Sequence, residues 1–198
     1  NSALQINSKE IQYSHKSKLV PGAEQLPFGG LLKSVLKDNF LNLAGGAGNF
    51  SIQDSVSLFF HKNNKIATLV CYESIFPNHV RQFIKKGAQA IFIITNDGWW
   101  NNTEGHKQHL SYARLRSIET RKNIVRSANT GISAVINYRG EILKTIGYEQ
   151  EGLINKNVGM NDKITFYTKY GDYIFRLCLF FIIIISAFYL ANLLKVKK

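Results

Sequence analysis

The sequence predicts an α/β fold followed by one membrane-spanning helix at the C-terminal end. Two observations predict it. Strand-like and helix-like patterns alternate between Ser55 and Ile146, and Tyr173 to Leu194 is a 22-residue apolar run broken only by Arg176, Ser186 and Asn192. Alternating elements of this kind build an α/β domain, and a run of that length crosses a hydrocarbon core about 30 Å thick as a helix. The 198 residues are 45% apolar, enough for a sizeable core and against disorder.

Residues 55–71 read as two strands, SVSLFFHKN and KIATLVC, turned at an Asn63-Asn64 pair. The segment 78–87, NHVRQFIKKG, sets Val80, Phe83 and Ile84 on one side of a helix and closes on Gly87. AQAIFIITND returns as a buried strand. From His106 to about Asn123 the residues Leu110, Ala113, Leu115 and Ile118 recur at helical intervals, predicting an amphipathic helix. NIVRSAN and GISAVINYRGEILKTI follow as strands, the second folded at Arg139-Gly140. Residues 29–50 are glycine-rich and read as a loop with a short helix at Leu31 to Leu41. Their GGAG lacks the Lys-Ser/Thr and the strand-turn-helix frame of a phosphate cradle.

The net charge of +12 suits an anionic surface. With the lysines dispersed and the aromatics set in apolar strands, that surface is read as a bilayer and no nucleic-acid partner is expected. Lys195, Lys197 and Lys198 follow the apolar run, so residues 195–198 are expected to be cytoplasmic and the preceding domain, residues 1–165, on the outer face. The chain starts at Asn1 and its only methionine is Met160, which suggests the later portion of a longer protein.

Two cysteines support no disulfide framework. Cys178 lies within the apolar run and reads as a small hydrophobe. Cys71 ends a strand and precedes Tyr72-Glu73, a position from which a turn can present a thiol to a cleft; the alternative is a core cysteine. The segment Tyr13 to Phe28 gathers Lys16, Lys18 and Glu24 around a Val-Pro turn: a cation able to steady a thiolate or oxyanion beside a carboxylate able to relay a proton, or else a solvated basic loop. Glu104, His106 and His109 have near-helical spacing, but His106 and His109 stand at i and i+3 without a third ligand at a recognisable spacing, so packing or surface roles are preferred and no metal or cofactor is expected. Arg114, Arg116 and Arg121 read as a solvated or salt-bridged helix face.

Several of these blocks together resemble one family. YSHKSKLVPGAEQLPF resembles the Tyr-x-Lys-x-x-Leu-Val-Pro-x-x-Glu-x-x-Pro block of apolipoprotein N-acyltransferases, and LVCYESIFP resembles their nucleophile block. The run from ITNDGWW to NYRGEI resembles their Asn-Asp-x-Trp segment, the following helix, and the Arg-x-x-Asn-x-Gly-x-Ser strands. The order agrees over roughly residues 10–145.

The resemblance implies a nitrilase-like αββα sandwich, here partial with its N-terminal part missing. It also implies a Glu-Lys-Cys triad in which Cys71 is the nucleophile, Lys16 the lysine and Glu24 a second active-site carboxylate. Tyr72 and Glu73 flank the nucleophile, and Asn96 and Trp99 match residues lining the substrate site, the indole against an acyl chain. The family's base glutamate lies several dozen residues before the lysine block, so it is expected to be absent from this chain, leaving the fragment inactive by itself. The implied reaction moves a fatty acyl chain from a phospholipid, through a thioester on Cys71, to the N-terminal diacylglyceryl-cysteine of a bacterial lipoprotein at the inner membrane. Two alternatives stay open: a membrane-anchored nitrilase-type amidase, and a non-catalytic membrane-tethered binding protein.

Overall fold

The computed structural model describes residues 1–7, 10–21, 24 and 52–196. The glycine-rich stretch and the short helix expected at 31–41 lie outside the described residues.

Strands β1 (Ser2–Ile6) and β2 (Ile11–His15) form an antiparallel hairpin, with Ile6 opposite Ile11. The sequence pattern did not announce it, because only Ala3 and Ser14 of these ten residues are buried. The main sheet has six strands in sequential order: β3 (Leu58–His61), β4 (Asn64–Val70), β5 (Ala90–Thr95), β6 (Asn123–Ala128), β7 (Ser133–Ile136) and β8 (Ile142–Ile146). The β3–β4 turn is Lys62-Asn63, one residue earlier than the expected Asn63-Asn64, and Lys62 takes φ +53° so that His61 can pair with Asn64.

β4, β5 and β6 run parallel, and their crossovers carry helix α1 (Pro77–Lys85) and helix α2 (Glu104–Thr120). Pro77 opens α1, where its missing N–H costs nothing, and Gly87 at φ +97° follows its end. Val80, Phe83 and Ile84 of α1, with Leu110 and Ala113 of α2, pack on Ala67, Leu69, Ile91, Ile93, Ile124, Ala134 and Ile136. On the opposite sheet face Ala3, Phe59 and Ile66 form a smaller cluster with Val70 and Phe92, placing the β1–β2 hairpin there. Two layers thus flank the central sheet: helices on one side, the hairpin on the other.

Helix α2 departs from its amphipathic reading. Leu115 and Ile118 are exposed, whereas His106, His109, Arg116, Ser117 and Thr120 are buried beside Leu110 and Ala113. Its inward face is largely polar, so hydrophobic periodicity located the helix but misassigned half of that face.

The C-terminal helix α4 (Tyr173–Val196) contains the expected span Tyr173–Leu194, fully exposed to the surroundings. A short helix, α3 (Phe166–Tyr170), precedes it and is tied to the domain: Arg81 Nη1 of α1 donates to Thr168 O at 3.2 Å, and Thr165 Oγ1 donates to Glu119 O of α2 at 2.6 Å.

Candidate active site

Registers across the parallel strands align their C-terminal ends. Val70 lies opposite Ile94, Ile94 opposite Ser127, and Thr95 opposite Ala128. The residues that follow β4, β5 and β6 therefore emerge along one edge, where open α/β sheets hold their ligands. Cys71 follows β4, Asn96 and Asp97 follow β5, and Asn129 to Gly131 follow β6.

Cys71 sits at the strand-to-helix junction with φ +54°, the left-handed region, and opens the 3₁₀ turn Cys71–Ile75. For a non-glycine residue that conformation costs on the order of 1–2 kcal/mol and must be enforced by its surroundings. Cys71 is half-buried, neither sealed in the core nor fully exposed.

Glu73 supplies part of the enforcement. Its carboxylate accepts from Val70 N–H at 2.8 Å and from Ser17 N–H at 2.6 Å, and His79 Nε2 stands 3.2 Å away. Burial works to raise its pKa, but His79 and the N–H groups of Val70 and Ser17 outweigh it and hold the carboxyl below its ordinary value. One carboxylate thereby clamps the residue before Cys71 to the residue after Lys16. Expected among the substrate-binding residues, Glu73 is 2% exposed, and both its oxygens are engaged by the protein itself.

The Lys16 side chain is buried, and its Nζ bonds both oxygens of Glu24, at 2.8 and 2.7 Å. Glu24 also accepts from Val20 N–H and from Asn1 Nδ2. The Val-Pro turn thus folds Glu24 back over Lys16. This pairing requires tertiary structure only over eight residues, which is why the sequence could suggest it.

Tyr72 is half-buried, its ring edge-on to Phe76 at 5.3 Å between centroids. Asn96 is exposed, with Oδ1 accepting from Gly98 N–H. Trp99, in the turn Gly98–Trp100, is 73% exposed.

The structure adds a cluster absent from the sequence reading. Asp97 is fully buried and accepts from Thr95 Oγ1 at 2.8 Å, from His109 Nδ1 at 2.9 Å and from Arg126 Nη2. Burial would raise its pKa, yet the His109 hydrogen bond and the Arg126 charge bring it down to about 2. Gly131 must be glycine, since a Cβ there would lie 2.5 Å from Asp97 Oδ2. A charged residue in a central strand, Arg126 in NIVRSA, was the available signal. Among the described residues no group of three or more His, Cys, Asp or Glu side chains is arranged to hold a metal ion.

Comparisons with known proteins agree with this architecture. The family model described as carbon-nitrogen hydrolase matches residues 1–163. Apolipoprotein N-acyltransferases resemble the chain in sequence: that of Agrobacterium fabrum is 38% identical over 172 residues, 85% of this chain and 32% of its own length. That of Geobacter metallireducens is 36% identical over 162 residues, 82% of this chain and 30% of its own length. That of Rickettsia prowazekii is 34% identical over 197 residues, 97% of this chain and 37% of its own length. The chain therefore spans about a third of the length of the curated relatives it matches. Among solved structures, a mutant amidase from Nesterenkonia sp. AN1 with acrylamide added at its active-site cysteine superposes with a TM-score of 0.52. It is 17% identical and covers 85% of this chain and 57% of that one, a likeness of fold.

Proposed function

The chain belongs to the carbon-nitrogen hydrolase family, and from that premise we propose that it is the nucleophile-bearing portion of an apolipoprotein N-acyltransferase, with Cys71 as the acyl carrier. The observation that carries the reading is the Glu73 bridge, which joins the Lys16 segment to the strained Cys71 turn. Similarity to relatives of that name over most of this chain supports acyl transfer and the choice of acceptor.

In the proposed reaction a carboxylate takes the Cys71 proton and the thiolate attacks an ester carbonyl of a phospholipid. Glu24 already accepts from Lys16, Val20 and Asn1, and Glu73 from Ser17 and Val70; the base is taken to be a further glutamate, as the resemblance to apolipoprotein N-acyltransferases implies. The Lys16 ammonium, held by Glu24, and a backbone N–H steady the tetrahedral oxyanion. Its collapse breaks the ester C–O bond, the lysophospholipid alcohol recovers the proton, and a thioester remains on Cys71. The α-amino group of a diacylglyceryl-cysteine then attacks the thioester carbonyl, the C–S bond breaks, and an amide and the free thiol result. Ping-pong kinetics follow. Asn96 and Trp99, exposed at the same sheet edge, are assigned to the substrates, with the indole against an acyl chain. Tyr72 lines the nucleophile turn, and Glu73 positions it.

On this reading the chemistry takes place beside its lipid substrates, at the plasma membrane with the domain on the outer face; the apolar length of α4 supports the membrane association. The lysines that follow the helix support that orientation. Mass spectrometry of the full-length gene product after incubation with phospholipid tests the reading. The peptide containing Cys71 gains the mass of an acyl chain, which a diacylglyceryl lipopeptide then discharges. Normal product formation by the Cys71→Ser protein would refute it. Because the fold neighbour is an amidase, ammonia release from small amides without transfer to lipopeptide would instead favour C–N hydrolysis.

A further inference from the structure

The Cys71 turn is held from a second side by groups to which the acyl-transfer reading gives no part. Ser74, fully buried in the 3₁₀ turn that Cys71 opens, donates its hydroxyl to the carbonyl of Cys71 at 3.0 Å. The same oxygen stands 3.0 Å from His109 Nε2 on helix α2. The other ring nitrogen, Nδ1, meets Asp97 Oδ1 at 2.9 Å, and Asp97 is in turn bonded by Arg126 and Thr95. His109 is also packed edge-on against Trp100, with ring centroids 5.4 Å apart. Every group in the chain Arg126, Asp97, His109 and Ser74 is buried, so each polar contact is made against protein rather than water.

The chain spans four parts of the fold: strand β6, the residues after β5, helix α2, and the nucleophile turn. These are side-chain contacts outside the strand ladders, and His109 is buried beside the core residues Leu110 and Ala113 of the same helix. What the polar chain adds is direction. A buried carboxylate with three donors fixes the ring plane of His109, Nε2–H of that ring donates to Ser74 Oγ, and the single hydroxyl proton of Ser74 is thereby left to fix the orientation of the Cys71 peptide.

We propose that His109 and Ser74 are positioning residues for Cys71, a relay anchored on Asp97 and Arg126 that holds the nucleophile's carbonyl, and with it the left-handed backbone at Cys71, in the attacking geometry. The relay acts on the opposite flank from the Glu73 clamp: Glu73 grips the amide before Cys71, Ser74 its carbonyl. Two independent grips on one strained residue explain how φ +54° is maintained at a cysteine.

The inference rests on the reading of Cys71 as the acylated residue, and the test separates the two. Full-length protein in detergent is prepared as wild type, Ser74→Ala, His109→Gln, the double variant, and Leu110→Ala as a core control outside the relay. Three quantities are measured: the rate of iodoacetamide labelling of the Cys71 peptide by mass spectrometry, kcat and KM for acyl transfer, and Tm. Ser74→Ala and His109→Gln each lower kcat by about 10- to 100-fold, the scale of misplacing a reacting group, with KM unchanged. They lower Cys71 labelling in parallel, and the double variant is no slower than the slower single variant. Leu110→Ala loses Tm without losing labelling rate per folded molecule. The relay is overturned if labelling and kcat survive Ser74→Ala, or if both fall only in proportion to Tm across all variants, Leu110→Ala included. Acyl transfer by Cys71→Ser would overturn the parent reading instead, while the labelling comparison would still report on the relay.

Discussion

Replacing Glu73 with glutamine removes one charge and keeps the side chain's shape, so it isolates what the carboxylate does. In the native site its two oxygens accept from Val70 N–H and Ser17 N–H. A glutamine offers one oxygen and one NH₂, so one of these buried N–H groups faces another donor. A hydrogen bond to a charged acceptor contributes about 1.5–3 kcal/mol, and an unsatisfied buried donor costs about 1–3 kcal/mol. Because the two figures overlap, the expected loss is about 3 kcal/mol. For a domain of this size that lowers Tm by roughly 6–12 °C at neutral pH. The folded pKa of Glu73 lies below the ordinary glutamate value, because His79 and the N–H groups of Val70 and Ser17 outweigh its burial. Its contribution is therefore present above the unfolded value and lost as pH falls through the folded one. Thermal unfolding of wild type and Glu73→Gln at pH 7 and at about pH 3 measures both effects: a large gap at neutral pH that narrows in acid. A gap below about 2 °C at pH 7, or one independent of pH, would refute the clamp.

Asp97, brought from 3.8 to about 2, contributes about 2.5 kcal/mol that is lost as pH falls from about 4 towards 2, and Asp97→Asn should flatten acid unfolding over that window. Gly131→Ala forces a Cβ against Asp97 Oδ2 and should lower Tm sharply, whereas alanine at Gly87, which meets only Lys65 side-chain atoms at 3.5 Å or more, should pay chiefly for its positive φ. Lys16→Met should cut kcat by about 10²- to 10³-fold by removing an oxyanion donor, and circular dichroism should show some destabilisation because Glu24 loses its cation and keeps only the Val20 and Asn1 hydrogen bonds. If the base is a further glutamate, as proposed, residues 1–198 expressed alone should partition into membranes through α4 yet transfer no acyl chain; acyl transfer by them would refute that assignment of the base.

Much of the architecture was legible locally. Strand β5 is a nearly continuous apolar run and the inner part of β4, Ile66 to Val70, is apolar but for Thr68, as buried parallel strands tend to be, and the helix after Cys71 announces its inward face by Val80, Phe83 and Ile84. Helix α2 was legible in extent but not in orientation, because it buries His109 against Asp97 and Ser74 and Arg116 against the Ile75 carbonyl, partners from other segments, while His106 meets nearby Asn102. The β1–β2 hairpin escaped notice because exposed strands paired only with each other carry little alternation.

The sequence by itself determined a thiol at the end of a buried strand, a lysine and a glutamate set on either side of a Val-Pro turn, and a helix long and apolar enough to cross a bilayer. Each depends on contacts or hydropathy within a few residues, so local patterning suffices. Only tertiary structure decided that Cys71 adopts a left-handed backbone, that Glu73 clamps two segments 56 residues apart, and that Asp97, His109 and Arg126 converge under the nucleophile turn. A charged or polar side chain reads as solvated until its partner is known, and here the partners arrive from other strands, where the free energy of burying them is recovered by hydrogen bonds that no local pattern encodes.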